Sequence, residues 1–175
     1  MEINVSQLLK SAVGTIKEYS VDDVVDISEA GLESKTRGMV QLVRTNRSIL
    51  VKGMLRTEVQ QVCSRCLKPF VQKLNLKIEE EYFPTLDVVT GVPVQLPDEP
   101  DSFTIDEHHI LSLVEAVRQY TLLALPMKPL CRKNCAGLCP ICGKSMNADK
   151  CSCAKEIDPR WEGLAKLAGT AKPRK

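Results

Sequence analysis

The chemistry in this chain is carried by thiols. Six cysteines lie in Cys131-x3-Cys135-x3-Cys139-Pro140-Ile141-Cys142-Gly143-x7-Cys151-x-Cys153, and two more form Cys63-Ser64-Arg65-Cys66. Eight thiolates are enough for two complete tetrathiolate metal sites. Two cysteines separated by two residues place both sulfurs on one tetrahedral ion while the intervening backbone turns around it. Gly143 fits such a turn, because glycine after the second thiolate adopts a positive φ without strain. Disulfides are the rival use of paired cysteines. The start Met1-Glu2-Ile3-Asn4-Val5-Ser6-Gln7 has no basic segment followed by an apolar run, so no export signal is expected. A cytoplasmic protein keeps its thiols reduced. The cofactor expected is zinc, one or two ions.

Locality suggests how the eight divide. Cys139, Cys142, Cys151 and Cys153 form one compact set, leaving Cys63 and Cys66 to be completed by Cys131 and Cys135. The second set would close a loop of 64 intervening residues between Cys66 and Cys131, where a metal crosslink removes much denatured-state entropy. The other division, with Cys131, Cys135, Cys139 and Cys142 on one ion, keeps the carboxyl-terminal module self-contained. Cys135-x3-Cys139-x2-Cys142 also matches the spacing used by radical S-adenosylmethionine enzymes, but the long α/β barrel those enzymes need has no room downstream. A ferredoxin reading lacks a Cys-x2-Cys-x2-Cys run. Iron–sulfur or thiol-redox chemistry is therefore the minor alternative.

Catalysis is not required by anything else in the chain. His108 and His109, the two histidines, are adjacent at the start of an expected helix, so their side chains diverge and they read as ordinary surface or helix-start residues. A catalytic zinc keeps one position open for water, whereas here cysteines fill every position. No phosphate-binding glycine loop or nucleophile elbow appears. The protein is expected not to be an enzyme.

The 175 residues, 43% of them hydrophobic, allow one modest core and a small appended module. No apolar stretch approaches 18 residues, so no membrane span is expected. The net charge of +2 conceals segmentation. Residues 35–77 carry ten Lys/Arg and one acid, residues 78–117 ten acids and no Lys/Arg, and residues 128–175 eleven basic and four acidic residues. Within the first block, 39–43 and 48–56 read as strands joined by a turn at Thr45-Asn46-Arg47. Cys63 to Cys66 falls at a hairpin end before Pro69, with Leu74, Leu76 and Ile78 alternating afterwards. Residues 84–101 are proline-rich and acidic and read as an exposed loop, with a protein-binding or RNA-mimicking role as its functional reading. Asp106 is expected to cap a helix carrying Ile110, Leu113, Val114, Val117 and Tyr120 at helical spacing, ended by Pro126. A short helix within 158–167 and a basic tail complete the chain, and no internal repeat is apparent. The expected fold class is α+β: an antiparallel β-meander with one main helix over residues 1–130, and a cysteine-rich zinc-binding module with its basic tail over 131–175.

Basic residues gather around the thiols. Lys52 and Arg56 share one parity of a strand, Arg65 and Lys68 lie at the cysteine tip, and Arg132, Lys133, Lys144 and Lys150 surround the carboxyl-terminal cluster. If a metal joins Cys66 to Cys131, these eight converge into an RNA-binding surface. With few aromatics, recognition of backbone and shape is expected over base stacking.

Three blocks then point to a family: Val62-Cys63-Ser64-Arg65-Cys66-Leu67-Lys68-Pro69-Phe70, Leu123-Ala124-Leu125-Pro126-Met127-Lys128-Pro129-Leu130-Cys131, and Cys135-Ala136-Gly137-Leu138-Cys139-Pro140-Ile141-Cys142-Gly143. Together with the opening Ile3-Asn4-Val5-Ser6-Gln7-Leu8-Leu9, they resemble the YceD family of large ribosomal RNA subunit accumulation proteins. The resemblance implies a cytoplasmic, non-enzymatic role in 23S ribosomal RNA accumulation and large-subunit biogenesis. The partners it implies are precursor 23S RNA or an assembling large subunit, with a ribosomal protein as a further candidate. Some members keep the Cys-x-x-Cys pair without the cysteine-rich knuckle, so the second site reads as a subgroup elaboration. An adaptor that binds only protein, such as a ribosomal protein or a nuclease, is the alternative.

Overall fold

Seven strands build one strongly curved sheet. The computed structural model describes residues 1–27, 33–96, 102–148, 151–153 and 160. In chain order the elements are β1 (Glu2–Asn4), α1 (Ser6–Leu9), β2 (Ile16–Asp26), β3 (Glu33–Arg44), β4 (Ile49–Val62), β5 (Pro69–Pro84), β6 (Phe103–Ile105), β7 (Ile110–Ser112) and α2 (Val114–Ala124). The sheet order is β1-β7-β6-β5-β4-β3-β2. The four long strands form an antiparallel meander, as their alternation suggests. β6, however, pairs with β5 in parallel, Tyr82 opposite Phe103. The sheet is thus mixed, and the expected pure meander is corrected: the chain leaves β5, makes its acidic excursion and returns to the same edge in the same direction. The result is a half-barrel whose two free edges are β1 and β2.

Side-chain alternation decides which face is inside. On β4, Val51, Leu55, Thr57 and Val59 are buried while Lys52, Met54, Arg56 and Glu58 are exposed, the period-2 pattern of a sheet with one face on the core. Leu42, Leu55, Leu76, Ile78 and Tyr82 meet Leu8 of α1 and Ala116 and Val117 of α2 inside the curve. Curvature needs β3 and β4 to approach closely at Gly38. A Cβ there would collide with the Met54 carbonyl oxygen and lie 2.8 Å from Leu55 Cδ2. Further along the inner face, the buried hydroxyls of Ser34, Thr36 and Thr57 bond to one another, Thr36 to Thr57 at 2.9 Å, which satisfies polar groups that would otherwise be costly.

The helix expected from Asp106 begins later. Asp106 caps a tight turn, its Oδ1 accepting from the backbone N–H of His108 at 3.0 Å and of Ile110 at 2.7 Å. His108 and His109 lie in that turn, His109 with φ 60°, so neither is a helix-start residue. Ile110–Ser112 becomes β7 because β1 offers it a ladder, Ile3 opposite Leu111. α2 runs from Val114 to Ala124, ending before Pro126 as expected. It packs on β5, with Tyr120 Oη donating to Glu80 Oε1 at 2.9 Å. The helix expected within 158–167, the basic tail and the end of the acidic loop beyond residue 96 lie outside the described residues.

Candidate metal centres

The β4–β5 hairpin closes on the first cysteine pair. Val62 pairs with Pro69, and the six residues Cys63 to Lys68 between them form the loop. Cys63 N donates to Lys68 O at 3.0 Å and Leu67 N to Cys63 O at 2.9 Å. Leu67 takes a positive φ of 57°. The second pair repeats this loop. Leu138 and Ser145 form an isolated antiparallel bridge, Cys139 N donates to Lys144 O at 2.8 Å, Gly143 N donates to Cys139 O at 2.9 Å, and Gly143 has φ 69°. Cys63-Ser64-Arg65-Cys66-Leu67-Lys68 and Cys139-Pro140-Ile141-Cys142-Gly143-Lys144 are therefore one knuckle used twice. This is an internal repeat that sequence reading misses, because leucine stands in one copy where glycine stands in the other.

Each knuckle is completed by two more cysteines. Cys63, Cys66, Cys131 and Cys135 have sulfurs all within 4.8 Å of one another, and so do Cys139, Cys142, Cys151 and Cys153. In the first set Cys63 and Cys135 are 3.8 Å apart and Cys66 and Cys131 3.7 Å apart, sulfur to sulfur. A disulfide would need about 2.05 Å. A tetrahedral ion with sulfur bonds of about 2.3 Å separates its ligands by about 3.8 Å along each edge. Both tetrads have the composition and spacing to hold a metal ion. The division found is the one expected from locality, and the self-contained division is not the one formed.

Backbone amides supply the electrostatics of the tetrads. Hydrogen bonding from the Cys131 backbone, followed by that from Cys66 and Arg65, brings the Cys63 thiol down to about 6 despite burial. The amides of Cys142 and Ile141 do the same for Cys139, also to about 6. Lost hydration at its sulfur, which faces the other thiols although the residue as a whole is exposed, and hydrogen bonding with Cys66, Cys63 and Cys135 push Cys131 up to about 12. In the second set Cys142, then burial, pushes Cys153 up to about 12. Four thiols gathered without a cation cannot all ionise, and a divalent ion relieves that repulsion. The first tetrad is deeply set, with Cys63, Cys66 and Cys135 buried and Cys131 the most exposed; in the second, Cys139 is buried and Cys142 exposed.

Asn147 joins the two tetrads. Its Nδ2 donates to Cys135 Sγ at 3.3 Å, and its Oδ1 accepts from Ala136 N at 2.9 Å and from the Arg132 guanidinium. The bond to sulfur is the leading cause of a lowered Cys135 thiol. Arg65 Nη1 donates to Cys135 O at 2.9 Å, and Ser64 N donates to Pro129 O at 2.8 Å. A residue between ligands of the second tetrad thus supports a ligand of the first, which spacing rules alone do not reveal.

The eight basic residues singled out by sequence do not form one patch. Arg65, Lys68, Arg132 and Lys133 are on the segments joined at the first tetrad, and Lys144 ends the second knuckle. Lys150 lies outside the described residues. Lys52 and Arg56 are on the outer face of β4, eleven and seven residues from Cys63, or about 36 and 23 Å at strand rise. Several of these cations also have partners within the fold. Lys52 Nζ pairs with Glu79 Oε1 at 2.9 Å, Arg65 bonds Cys135, and Arg132 bonds Asn147. Sequence reading missed Arg37, which lies directly opposite Arg56 in the β3–β4 register and bonds Asp22 at 2.9 Å. Parity on β3 is the signal that finds it. Between these arginines and Lys52, the exposed side chains of Met39 and Met54 face each other across the same two strands.

The family profile described as Large ribosomal RNA subunit accumulation protein YceD matches residues 51–168. Proteins of Mycobacterium bovis and of Mycobacterium tuberculosis, both described as uncharacterized, are 26% identical over 131 residues, 71% of this chain and 58% of theirs. A Mycobacterium leprae protein, also described as uncharacterized, is 23% identical over 123 residues, 70% of this chain and 54% of its own. The chain thus spans little more than half the length of these relatives. No solved structure matches it. No described helix is long and apolar enough to cross a membrane.

Proposed function

The chain belongs to the YceD family, the large ribosomal RNA subunit accumulation proteins, and from this premise we propose that it is a non-enzymatic cytoplasmic factor supporting 23S ribosomal RNA accumulation by binding precursor RNA or an assembling large subunit. The metal we propose is zinc, one ion in each tetrad. Tetrahedral all-thiolate coordination is the common form of a structural zinc site. A four-iron cluster would interpose iron and sulfide between the thiolates and hold them further apart than the 4.8 Å limit seen here. Cys63, Cys66, Cys131 and Cys135 would hold the half-barrel to the carboxyl-terminal module, and Cys139, Cys142, Cys151 and Cys153 would order the second knuckle. With four thiolates per ion no position is left for a substrate, which favours a structural role.

The observation that carries the RNA reading is the arrangement of cations on rigid supports. Lys68 and Lys144 end the two metal knuckles, Lys133 lies between ligands of the first tetrad, and Arg56 faces Arg37 on the outer sheet. Like charges directly opposite in a ladder oppose each other; Asp22 already offsets part of that cost at Arg37, and an anionic partner beside Arg56 would offset more. Phosphate contacts release counterions, so affinity would fall steeply with salt. The test is binding of a precursor 23S transcript by the full chain and by a variant in which Arg56, Lys68, Lys133 and Lys144 are glutamine, over a range of salt. The reading expects weaker binding and a log–log salt slope reduced by about three to four for the variant. Unchanged affinity and slope would favour an adaptor that binds protein only.

A further inference from the structure

The half-barrel leaves its two terminal strands, β1 and β2, facing one another across a cleft of about 540 Å³, lined by Glu2, Ile3 and Asn4 of β1, Tyr19 to Asp23 of β2, and Leu113. The two strands are the ends of the sheet order and are not paired with each other. β2 is fully laddered to β3 along its inner side, from Ile16 opposite Val43 to Asp26 opposite Glu33. In an antiparallel pair every second residue turns its N–H and C=O away from its partner. Val24 identifies the outward set, because its N–H is taken by Asp23 Oδ1 at 2.9 Å and not by β3. Ser20 and Asp22 share that parity. A free edge of this length is a template for another strand.

Charge selects the occupant. β2 carries Glu18, Asp22, Asp23 and Asp26 against the single cation Lys17, with Arg37 of β3 bonded to Asp22, and β1 adds Glu2. A second copy of β2 would set these acids against their own kind, which disfavours self-pairing. A cation already sits in the cleft: the ammonium group of Met1 lies 2.6 Å from Asp23 Oδ2.

We propose that the open β2 edge accepts an extended basic segment of a partner protein, adding it as an eighth strand beside Tyr19 to Asp23, with lysine or arginine at alternate positions meeting Glu2 and Asp22. Five residues of strand, about 17 Å, line the cleft. This surface is separate from the metal tip and touches the outer sheet face only through Asp22, which also bonds Arg37; the strand-pairing readout is independent of RNA binding, so its failure would leave the RNA reading untouched.

The probe is a fluorescein-labelled ten-residue peptide of alternating lysine and valine, with a glutamate–valine control. Two further lysine–valine peptides carry N-methyl groups on one or the other set of alternate residues. Binding to the full chain is followed by fluorescence anisotropy, with amide hydrogen exchange to locate it. The expected result is binding of the lysine peptide alone, about tenfold weaker in Glu2→Gln/Asp22→Asn, abolished by N-methylation of one set only, and protecting the amides of Ser20 and Asp22. Equal binding of both N-methylated peptides would show charge attraction without strand addition and overturn the proposal. Protection confined to other strands, or protection of these same amides by a single-stranded RNA oligomer, would overturn it equally.

Discussion

Leu67 and Gly143 occupy the same step of two six-residue cysteine knuckles, each following the second cysteine of a Cys-x-x-Cys pair, with φ of 57° and 69°. The positive angle lets each residue's N–H reach the carbonyl of the first cysteine, at 2.9 Å in both loops. Leucine bears a conformational cost there of about 1 to 2 kcal/mol that glycine does not.

Leu67→Asn is therefore expected to leave metal content unchanged and to alter stability by less than about 1 kcal/mol, because the leucine side chain is 63% exposed and asparagine tolerates this conformation. Gly143→Ala is expected to cost about 1 kcal/mol although nothing lies within 4 Å of the added carbon, since the penalty is in the backbone. Denaturant melts of the two variants check the pair. A Gly143→Ala variant as stable as the parent would contradict the shared geometry.

The two tetrads differ in what they close. Cys66 and Cys131 are 65 residues apart along the chain, and a crosslink over such a loop contributes about 4 kcal/mol by chain entropy. The second tetrad spans only residues 139–153. Cys66→Ser is expected to lose one metal equivalent and to lower the melting temperature of the whole protein by ten degrees or more. Cys142→Ser is expected to lose one equivalent with a much smaller shift. Elemental analysis paired with calorimetry reads both quantities, and equal shifts would contradict the stapling role of the first site.

The thiol shifts give metal binding a definite proton stoichiometry. Cys63 and Cys139, held down to about 6, are thiolates at pH 7, whereas Cys131 and Cys153, pushed up to about 12, are protonated until metal arrives. A depressed folded-state value means stability that is present above the ordinary thiol pKa of about 9 and is lost as pH falls through about 6. A raised one means stability present below that value and lost as pH rises through about 12. Metal binding at pH 7 is therefore expected to release fewer than four protons per site, and retained metal to fall as pH drops from 7 to 5. Calorimetric titration in buffers of different ionisation enthalpy counts the protons. Four released per site would contradict the assignment.

Gly38→Ala is expected to destabilise the half-barrel by about 2 to 3 kcal/mol, because the new methyl group meets the Met54 carbonyl and Leu55 across the ladder. Metal content should be unchanged, since the tetrads lie at the far end of β4. An unaltered denaturation midpoint would contradict the tight curvature at that point.

Much of the candidate site was legible because metal ligands are spaced by local geometry. Cys139, Cys142, Cys151 and Cys153 are close along the chain, and closure of the β4–β5 hairpin puts Cys63 beside Cys66. The shared parity of Lys52 and Arg56 likewise put both on one face of β4. What eluded sequence reading depends on distant partners. Ile110 and Leu113 have helical spacing, but β1, over a hundred residues earlier, captures Ile110–Ser112 as a strand. The parallel pairing of Phe103 with Tyr82 leaves no local mark. The convergence expected of Lys52 and Arg56 with the metal tip failed because strand rise carries them along the sheet, away from Cys63. The repeated knuckle stayed hidden because Leu67 does not look like the glycine whose conformation it adopts.

Ultraviolet crosslinking of the protein to RNA in living cells, followed by sequencing of the attached fragments, tests the central claim most directly. Enrichment of discrete precursor 23S segments is expected, diminished in the variant lacking Arg56, Lys68, Lys133 and Lys144. No enrichment above background, with the protein present at normal levels and carrying its metal, would contradict direct RNA binding.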